Sequence, residues 1–221
     1  MRQNKNYPQK PNLNYEYELR DGGLLHIAGV DEAGRGAWAG PVIAAAVILP
    51  LADFNLPHLL CDVRDSKLLT PKQRALTYTH IQEIALSIGL GQAPPEEVDD
   101  LGIIGATQQA MLRAICDLSI PPEHVLIDHL QLPNLEINQT ALTKGDRSVL
   151  SISAASIVAK VTRDKIMMEL DNLYPGYGFS HHKGYGTLEH RRTLDEFGPC
   201  LIHRTTFSPI AKRINLNNPQ P

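Results

Sequence analysis

Asp31 and Glu32 stand side by side where an apolar run, Leu24 to Val30, comes to an end, and Gly34-Arg35-Gly36 follows at once. Carboxylates at the end of a buried strand are expensive to desolvate unless a cation or a hydrogen-bond network compensates them. Oxygen donors of this kind suit magnesium or manganese. The two glycines let a backbone come close to a ligand, and Arg35 points to a ligand that is anionic. A second apolar run, His124-Val125-Leu126-Ile127, ends in Asp128. If the two strands are neighbours, three carboxylates meet at one sheet edge, where ligand sites of open α/β sheets form. Asp164 is a fourth candidate. It follows Lys160 by four residues, a spacing that also reads as a salt bridge on one helical face. The chemistry these residue types support together is metal-assisted reaction at a phosphate.

Other segments carry weaker signals. Residues 176–190, GYGFSHHKGYGTLEH, interleave Tyr177, Phe179 and Tyr185 with glycines, histidines and Lys183. Such a loop can stack on a sugar or base while a lysine holds phosphate. Ser66-Lys67 and the Lys144-Gly145-Asp146 turn are further phosphate candidates. A competing reading comes from Gly34 to Ala39, which fits G-x-G-x-x-A after a strand, with Asp53 at a dinucleotide-binding distance. Against it, Asp31 and Glu32 would face a pyrophosphate. Moreover, Pro41 and the β-branched residues after it predict a strand where that motif needs a helix N-terminus.

The elements that must position these residues alternate in type. Strands are predicted over Ile27–Val30, Val42–Leu49, Ser87–Gln92 and His124–Asp128, with a short one over Glu136–Thr140. Thr70 caps a helix that begins at Pro71 and carries apolar Leu76, Ile81 and Ile84. Pro94-Pro95 opens a helical region whose main part covers about 104–118. Helices are also predicted over Ser153–Leu170 and Leu188–Phe197, with a loop over 174–187. This order implies an α/β fold with a mixed sheet. Residues 1–18 are polar and read as a disordered extension, 19–213 as the folded domain with a helical part from about 167, and 214–221 as a polar tail.

At 221 residues, 43% hydrophobic and 20% charged, the composition is that of a soluble globular protein. No apolar run reaches the roughly 18 residues of a membrane span, and the N-terminus lacks the apolar core of a secretory signal. Three widely spaced cysteines, Cys61, Cys116 and Cys200, fit a reducing cytoplasm and neither a disulfide framework nor a zinc site. Net charge is −3, unevenly spread: residues 1–143 hold 10 basic and 17 acidic side chains (−7), residues 144–221 hold 11 and 7 (+4). A basic C-terminal third behind an acidic front is compatible with nucleic acid.

In chain order, GVDEAGRG (29–36), AGPVIAAAV (39–47), DSKLL (65–69), LID (126–128), KGD (144–146), SISAASIVAKVTRD (151–164), HKGYGT (182–187) and IHRTTFSP (202–209) resemble the type 2 ribonuclease H family, ribonuclease HII. Trp38 and His129 depart from that pattern without replacing a carboxylate. The resemblance implies a ribonuclease H-like fold, a five-stranded mixed sheet flanked by helices with a small helical C-terminal extension. It implies an endonuclease that cuts the RNA strand of RNA–DNA hybrids and 5′ of ribonucleotides embedded in duplex DNA, leaving 3′-hydroxyl and 5′-phosphate ends. Nothing in the sequence sets the oligomeric state, for which monomer is the default. Two divalent ions, manganese or magnesium, would be held by Asp31, Glu32, Asp128 and Asp164. Gly34, Arg35 and Gly36 would read the ribose 2′-hydroxyl. Tyr185 would stack on the deoxyribose at the RNA–DNA junction, and Ser66, Lys67, Lys144, Ser153, Ser156 and Lys183 would contact phosphates.

Overall fold

The computed structural model describes residues 10–217. Its centre is a five-stranded mixed sheet in the order β3-β2-β1-β4-β5. The strands are β1 (Ile27–Ala33), β2 (Val42–Ile48), β3 (Ser87–Ala93), β4 (His124–Asp128) and β5 (Gln139–Leu142). β1, β2 and β3 pair antiparallel, while β4 runs parallel to β1 and β5 parallel to β4. This is the predicted fold class. The helices are α1 (Asn14–Asp21), α2 (Leu56–Leu59), α3 (Pro71–Ile84), α4 (Pro95–Cys116), α5 (Leu150–Leu173), α6 (Phe179–His182), α7 (Leu188–Phe197) and α8 (Ser208–Asn217). Among the described residues no helix is long and apolar enough to cross a membrane.

Both faces of the sheet are covered, and the strand sequences show it. β2 reads Val-Ile-Ala-Ala-Ala-Val-Ile and every residue is buried, as expected of a strand with helices on each side. One core joins Ile27, Ala45, Val47 and Leu126 to Ile152, Ala155 and Ala159 of α5. The other joins Ala28, Val30, Ala44, Ala46 and Ile127 to Ala106, Ala110, Met111 and Ala114 of α4. α5 lies so close to β1 that a Cβ on Gly29 would sit 2.2 Å from the carbonyl carbon of Ser151. Only glycine allows that approach.

Local signals were obeyed where they were strong. Thr70 accepts from Gln73 N and the Gln73 side chain returns to the Thr70 backbone, a capping box before α3. Ile81 of that helix is fully buried, whereas Leu76 is exposed. β5 starts at Gln139 and not at Glu136, because its parallel register on β4 pairs Gln139 with Val125 and Leu142 with Asp128. α5 starts three residues before the predicted Ser153. The predicted loop 174–187 contains α6, seated by buried Phe179.

The expected disorder over 1–18 needs correction where the structure describes it. Asn12 pairs with Val149, and residues 14–18 are helical. The buried Glu16 carboxylate accepts from Ser151 N at 2.9 Å, at the free N–H groups opening α5. Polar composition gave no hint of this long-range cap. At the other end, α8 carries residues 214–217 of the expected tail as helix. The remainder of both segments, 1–9 and 218–221, lies outside the described residues.

The C-terminal helices are joined to the rest through stacked rings. His182 lies on His190 with centroids 4.3 Å apart, and Phe179 meets both edge-on. His190 Nδ1 is 3.0 Å from Tyr185 O, so this nitrogen carries the proton and donates. His190 Nε2 then accepts from His203 Nε2–H at 3.0 Å, and His203 Nδ1 accepts from Cys200 N at 2.9 Å. Both rings are therefore neutral, and burial holds each at a pKa of about 4. An unfolded histidine titrates near 6.5. Between those values the unfolded chain binds two protons that the folded chain refuses. Stability is thus present above about pH 6.5 and falls as pH drops towards 4, by about 1.4 kcal/mol per pH unit for each histidine. A pH series of thermal melts is expected to show this fall in wild type and a shallower one in His203→Gln. Equal slopes in the two proteins would show that the pair does not titrate as described.

Candidate active site

Asp31 and Glu32 lie within β1, two residues before its end, and not at the strand's end as the sequence implied. The reason is asymmetric pairing. The parallel partner β4 stops matching at Val30–Ile127, while antiparallel β2 continues to Ala33–Ile43. β1 is thus held from one side and open on the other where the carboxylates stand. Asp31 falls on the α5 face of the sheet with Ile27 and Gly29. Asp128 falls on the same face of the adjoining strand with Leu126, by the alternation of strands.

The electrostatics follow from that placement. Burial first, then the charges of Glu32 and Asp128, push the Asp31 carboxyl well above the usual carboxylate range. Its Oδ1 accepts from Glu32 N at 2.7 Å. Burial also raises Glu32, against the pull of Arg35, whose Nη1 is 3.2 Å from Oε1. Glu32 Oε2 is buried with no hydrogen-bond partner. Asp128 is raised by burial and by Asp146, while its Oδ1 accepts from Gly145 N at 2.7 Å. Close carboxylates that all resist ionisation describe a site short of positive charge. Among the described residues no group of three or more His, Cys, Asp or Glu side chains is closed around a metal position. The chemistry of the donors nevertheless fits a hard divalent cation: carboxylate oxygens lining one cleft, one of them buried and unsatisfied.

These groups line a cleft of about 240 Å³ together with Gly34, Arg35, Gly36, Ser66, Lys67, Ser156, Lys160 and Tyr185. Ser66 Oγ and Ser156 Oγ are 3.1 Å apart, joining the 3-10 turn Ser66–Leu68 to α5. Lys67 is 74% exposed, with Nζ 3.4 Å from Asp146. Partial burial lowers its pKa, but the carboxylates of Asp146, Asp65 and Asp31 outweigh this and raise it. The Tyr185 ring has the Lys160 ammonium at 5.6 Å and the Arg163 guanidinium at 5.3 Å.

Two of the three glycine-loop positions differ sharply in why glycine is needed. Gly34 has φ +98°, and a Cβ there would lie 2.1 Å from Arg163 Nε, so the fold itself demands glycine. Gly36 is exposed, and a Cβ would meet nothing within 4 Å. Nothing among the described residues requires glycine at 36.

Four sequence candidates do not line the cleft. Asp164 is tied to Lys160 Nζ at 2.7 Å and faces Arg74 Nη1 at 3.5 Å. Ser153 is fully buried in α5, its Oγ unpartnered. Lys183 donates its ammonium to Ser180 O. Lys144 is an exposed residue at φ 60° before the 3-10 turn Gly145–Arg147. Conversely, sequence reasoning passed over Lys160 as a cleft residue, Asp146 as a source of charge, and the buried Arg163 and Arg204. The i to i+4 spacing of Ser156 and Lys160 on one helix was the available signal for the first. The dinucleotide reading fails on the backbone: residues 34–41 contain no helix and lead straight into antiparallel β2.

Comparison with known proteins agrees with this geometry. The family model described as Ribonuclease HII matches residues 28–209. The chain is 48% identical over 204 residues to the ribonuclease HII of Chloroflexus aurantiacus, covering 92% of this chain and 96% of that one. It is 50% identical over 200 residues to the ribonuclease HII of Bacillus cytotoxicus, covering 90% and 75%. The crystal structure of ribonuclease H2 from Pyrococcus horikoshii superposes with a TM-score of 0.73 at 27% identity, covering 87% of this chain and 99% of that one. With the acidic cleft, the glycine loop and the sheet order all in place over the matched span, the chain belongs to the ribonuclease HII family and is an enzyme of that kind.

Proposed function

We propose that this enzyme hydrolyses the RNA strand of RNA–DNA hybrids and cuts 5′ of ribonucleotides embedded in duplex DNA, leaving a 3′-hydroxyl and a 5′-phosphate. The observation that carries the reading is the single cleft in which Asp31, Glu32 and Asp128 face the Gly34–Gly36 backbone and Tyr185. A chemistry-bearing end and a sugar-reading end are thereby one ligand apart. Asp31, Glu32 and Asp128 would hold divalent cations, magnesium or manganese, which supply a hydroxide-like nucleophile and stabilise the departing 3′-oxygen. Asp164 joins that set in the proposal from the wall of α5.

The remaining work falls to the chain's own groups. The exposed backbone at Gly36 lets a ribose 2′-hydroxyl approach, and this hydroxyl separates RNA from DNA. Tyr185 offers a ring to the next sugar, held by the cations of Lys160 and Arg163. Lys67 is kept protonated by its carboxylate neighbours and exposed to a phosphate. Ser66 and Ser156 supply hydroxyls at the cleft wall, and Lys144 and Lys183, outside it, would contact phosphates of a longer duplex. The free thiols of Cys61, Cys116 and Cys200 support action in the cytoplasm.

The direct test is cleavage of three labelled duplexes, all-DNA, hybrid, and DNA with one ribonucleotide, with magnesium, manganese or chelator. Metal-dependent cutting of the last two alone supports the proposal; metal-independent cutting, or none, overturns it. Asp31→Asn is expected to lose at least about 100-fold in kcat. The same change is expected to raise the thermal midpoint of the metal-free protein near pH 7.5, because an ionised Asp31 is unfavourable in the fold. Added manganese should stabilise wild type more than Asp31→Asn. A metal-free Asp31→Asn less stable than wild type would contradict the electrostatic reading.

Gly36→Ala is expected to melt like wild type and to lose more than about tenfold in kcat/KM on the single-ribonucleotide duplex. Gly34→Ala is expected to melt earlier, from the strained φ and the collision with Arg163. Full activity of Gly36→Ala would remove the 2′-hydroxyl assignment.

A further inference from the structure

Arg163 and Arg204 are the two largest fully buried side chains of the described residues, and neither makes an ion pair there. Charged side chains are almost never fully buried without a charged partner. Here every guanidinium bond goes to a backbone carbonyl. Arg163 donates to Pro41 O and Lys183 O at 2.9 Å each and to Ala39 O at 3.1 Å. Arg204 donates to Arg35 O at 2.9 Å and twice to Gly40 O, at 3.1 and 2.9 Å.

The carbonyls so held belong to two segments. Arg35, Ala39, Gly40 and Pro41 form the loop whose first part lines the cleft. Lys183 stands two residues before Tyr185. Arg163 alone spans both segments. It also fills the space against Gly34 and lies over the Tyr185 ring at 5.3 Å. The contact of Trp38 N with Gly184 O at 2.8 Å and of Arg204 N with Trp38 O at 2.8 Å closes the same frame. A guanidinium suits this task because its planar fork fixes several acceptors relative to each other, which an ammonium does not.

We propose that Arg163 and Arg204 are positioning residues that set the spacing between the Gly34–Gly36 backbone and the Tyr185 ring, and that this spacing decides the preference for a lone ribonucleotide in DNA over a continuous hybrid. The inference rests on the sugar-reading roles proposed above for the loop and the tyrosine. A lone ribonucleotide must satisfy both groups at one ribose–deoxyribose step. A continuous hybrid offers a 2′-hydroxyl at every step, so a displaced loop still finds one.

The test compares Arg163→Lys and Arg204→Lys with wild type on the two substrates, with thermal melts and circular dichroism reporting the fold. In each folded variant, kcat/KM on the single-ribonucleotide duplex is expected to fall more than about tenfold. On the continuous hybrid the fall is expected to be less than about threefold, so that the ratio between substrates narrows. A merely structural role would lower both by one factor, and an unchanged ratio in both folded variants overturns the proposal. Arg204→Lys serves where Arg163→Lys fails to fold. Wild type that cuts neither substrate would instead overturn the functional reading itself, an outcome separable from the first.

Discussion

The contact on which the rest depends is the close approach of α5 to β1 at Gly29, where a side chain would drive the helix off the sheet. Asp31 is the next residue of β1 on that face. Ser156 comes little more than one turn beyond Ser151 on α5, followed by Lys160 and Arg163 at further helical turns. The distance set at Gly29 therefore propagates in two directions. Along the strand it determines how deeply Asp31 is buried. Along the helix it determines which α5 side chains reach the cleft and which reach past it to the glycine loop. The buried Glu16 carboxylate accepts from Ser151 N, the residue that Gly29 packs against, so the cap and the close approach fix the same end of the helix.

Charge in this molecule is arranged against its solvation. Asp31, Glu32 and Asp128 are acids held in a place that disfavours their ionised form. A few residues away, Arg163 and Arg204 are cations disfavoured for the same reason, and burial brings Arg204 down to about 9. The two sets do not neutralise one another, because the arginines spend their donors on carbonyls. Burying both kinds of charge costs stability that a purely apolar packing would have kept. The return is a cleft whose acids are compressed towards one point and whose walls are fixed by polar bonds and not by side-chain packing alone.

What the sequence made legible was whatever depends on neighbours in the chain. The apolar run before Asp31, the capping box at Thr70 and the run ending at Asp128 each carry their own instructions. Ten of the fourteen candidate residues line the cleft, because motif carboxylates and glycines leave few places to stand. The failures share a cause as well. α1 forms because Glu16 reaches a helix 135 residues away, which no local pattern records. Ser153 lies fully inside, although serine in a helix reads as a surface residue. Nothing local marks Arg163 and Arg204 as buried, since arginine is mostly exposed; their burial is a property of two loops that meet only in the fold.

Asp164 shows how a residue named by a motif can stand apart from the other acids in the fold. Four carboxylates in one uncompensated cleft would repel each other strongly. In this structure three converge and the fourth stands aside between Lys160 and Arg74. Its side chain is 20% exposed and those of Lys160 and Arg74 are 22% and 11% exposed, so the two pairs are largely shielded from solvent and hold the carboxylate away from the cleft. The same lysine stands 5.6 Å from the centroid of the Tyr185 ring, so one ammonium neighbours both this carboxylate and that ring. The pairing thus keeps the fourth acid out of the repulsion among the other three.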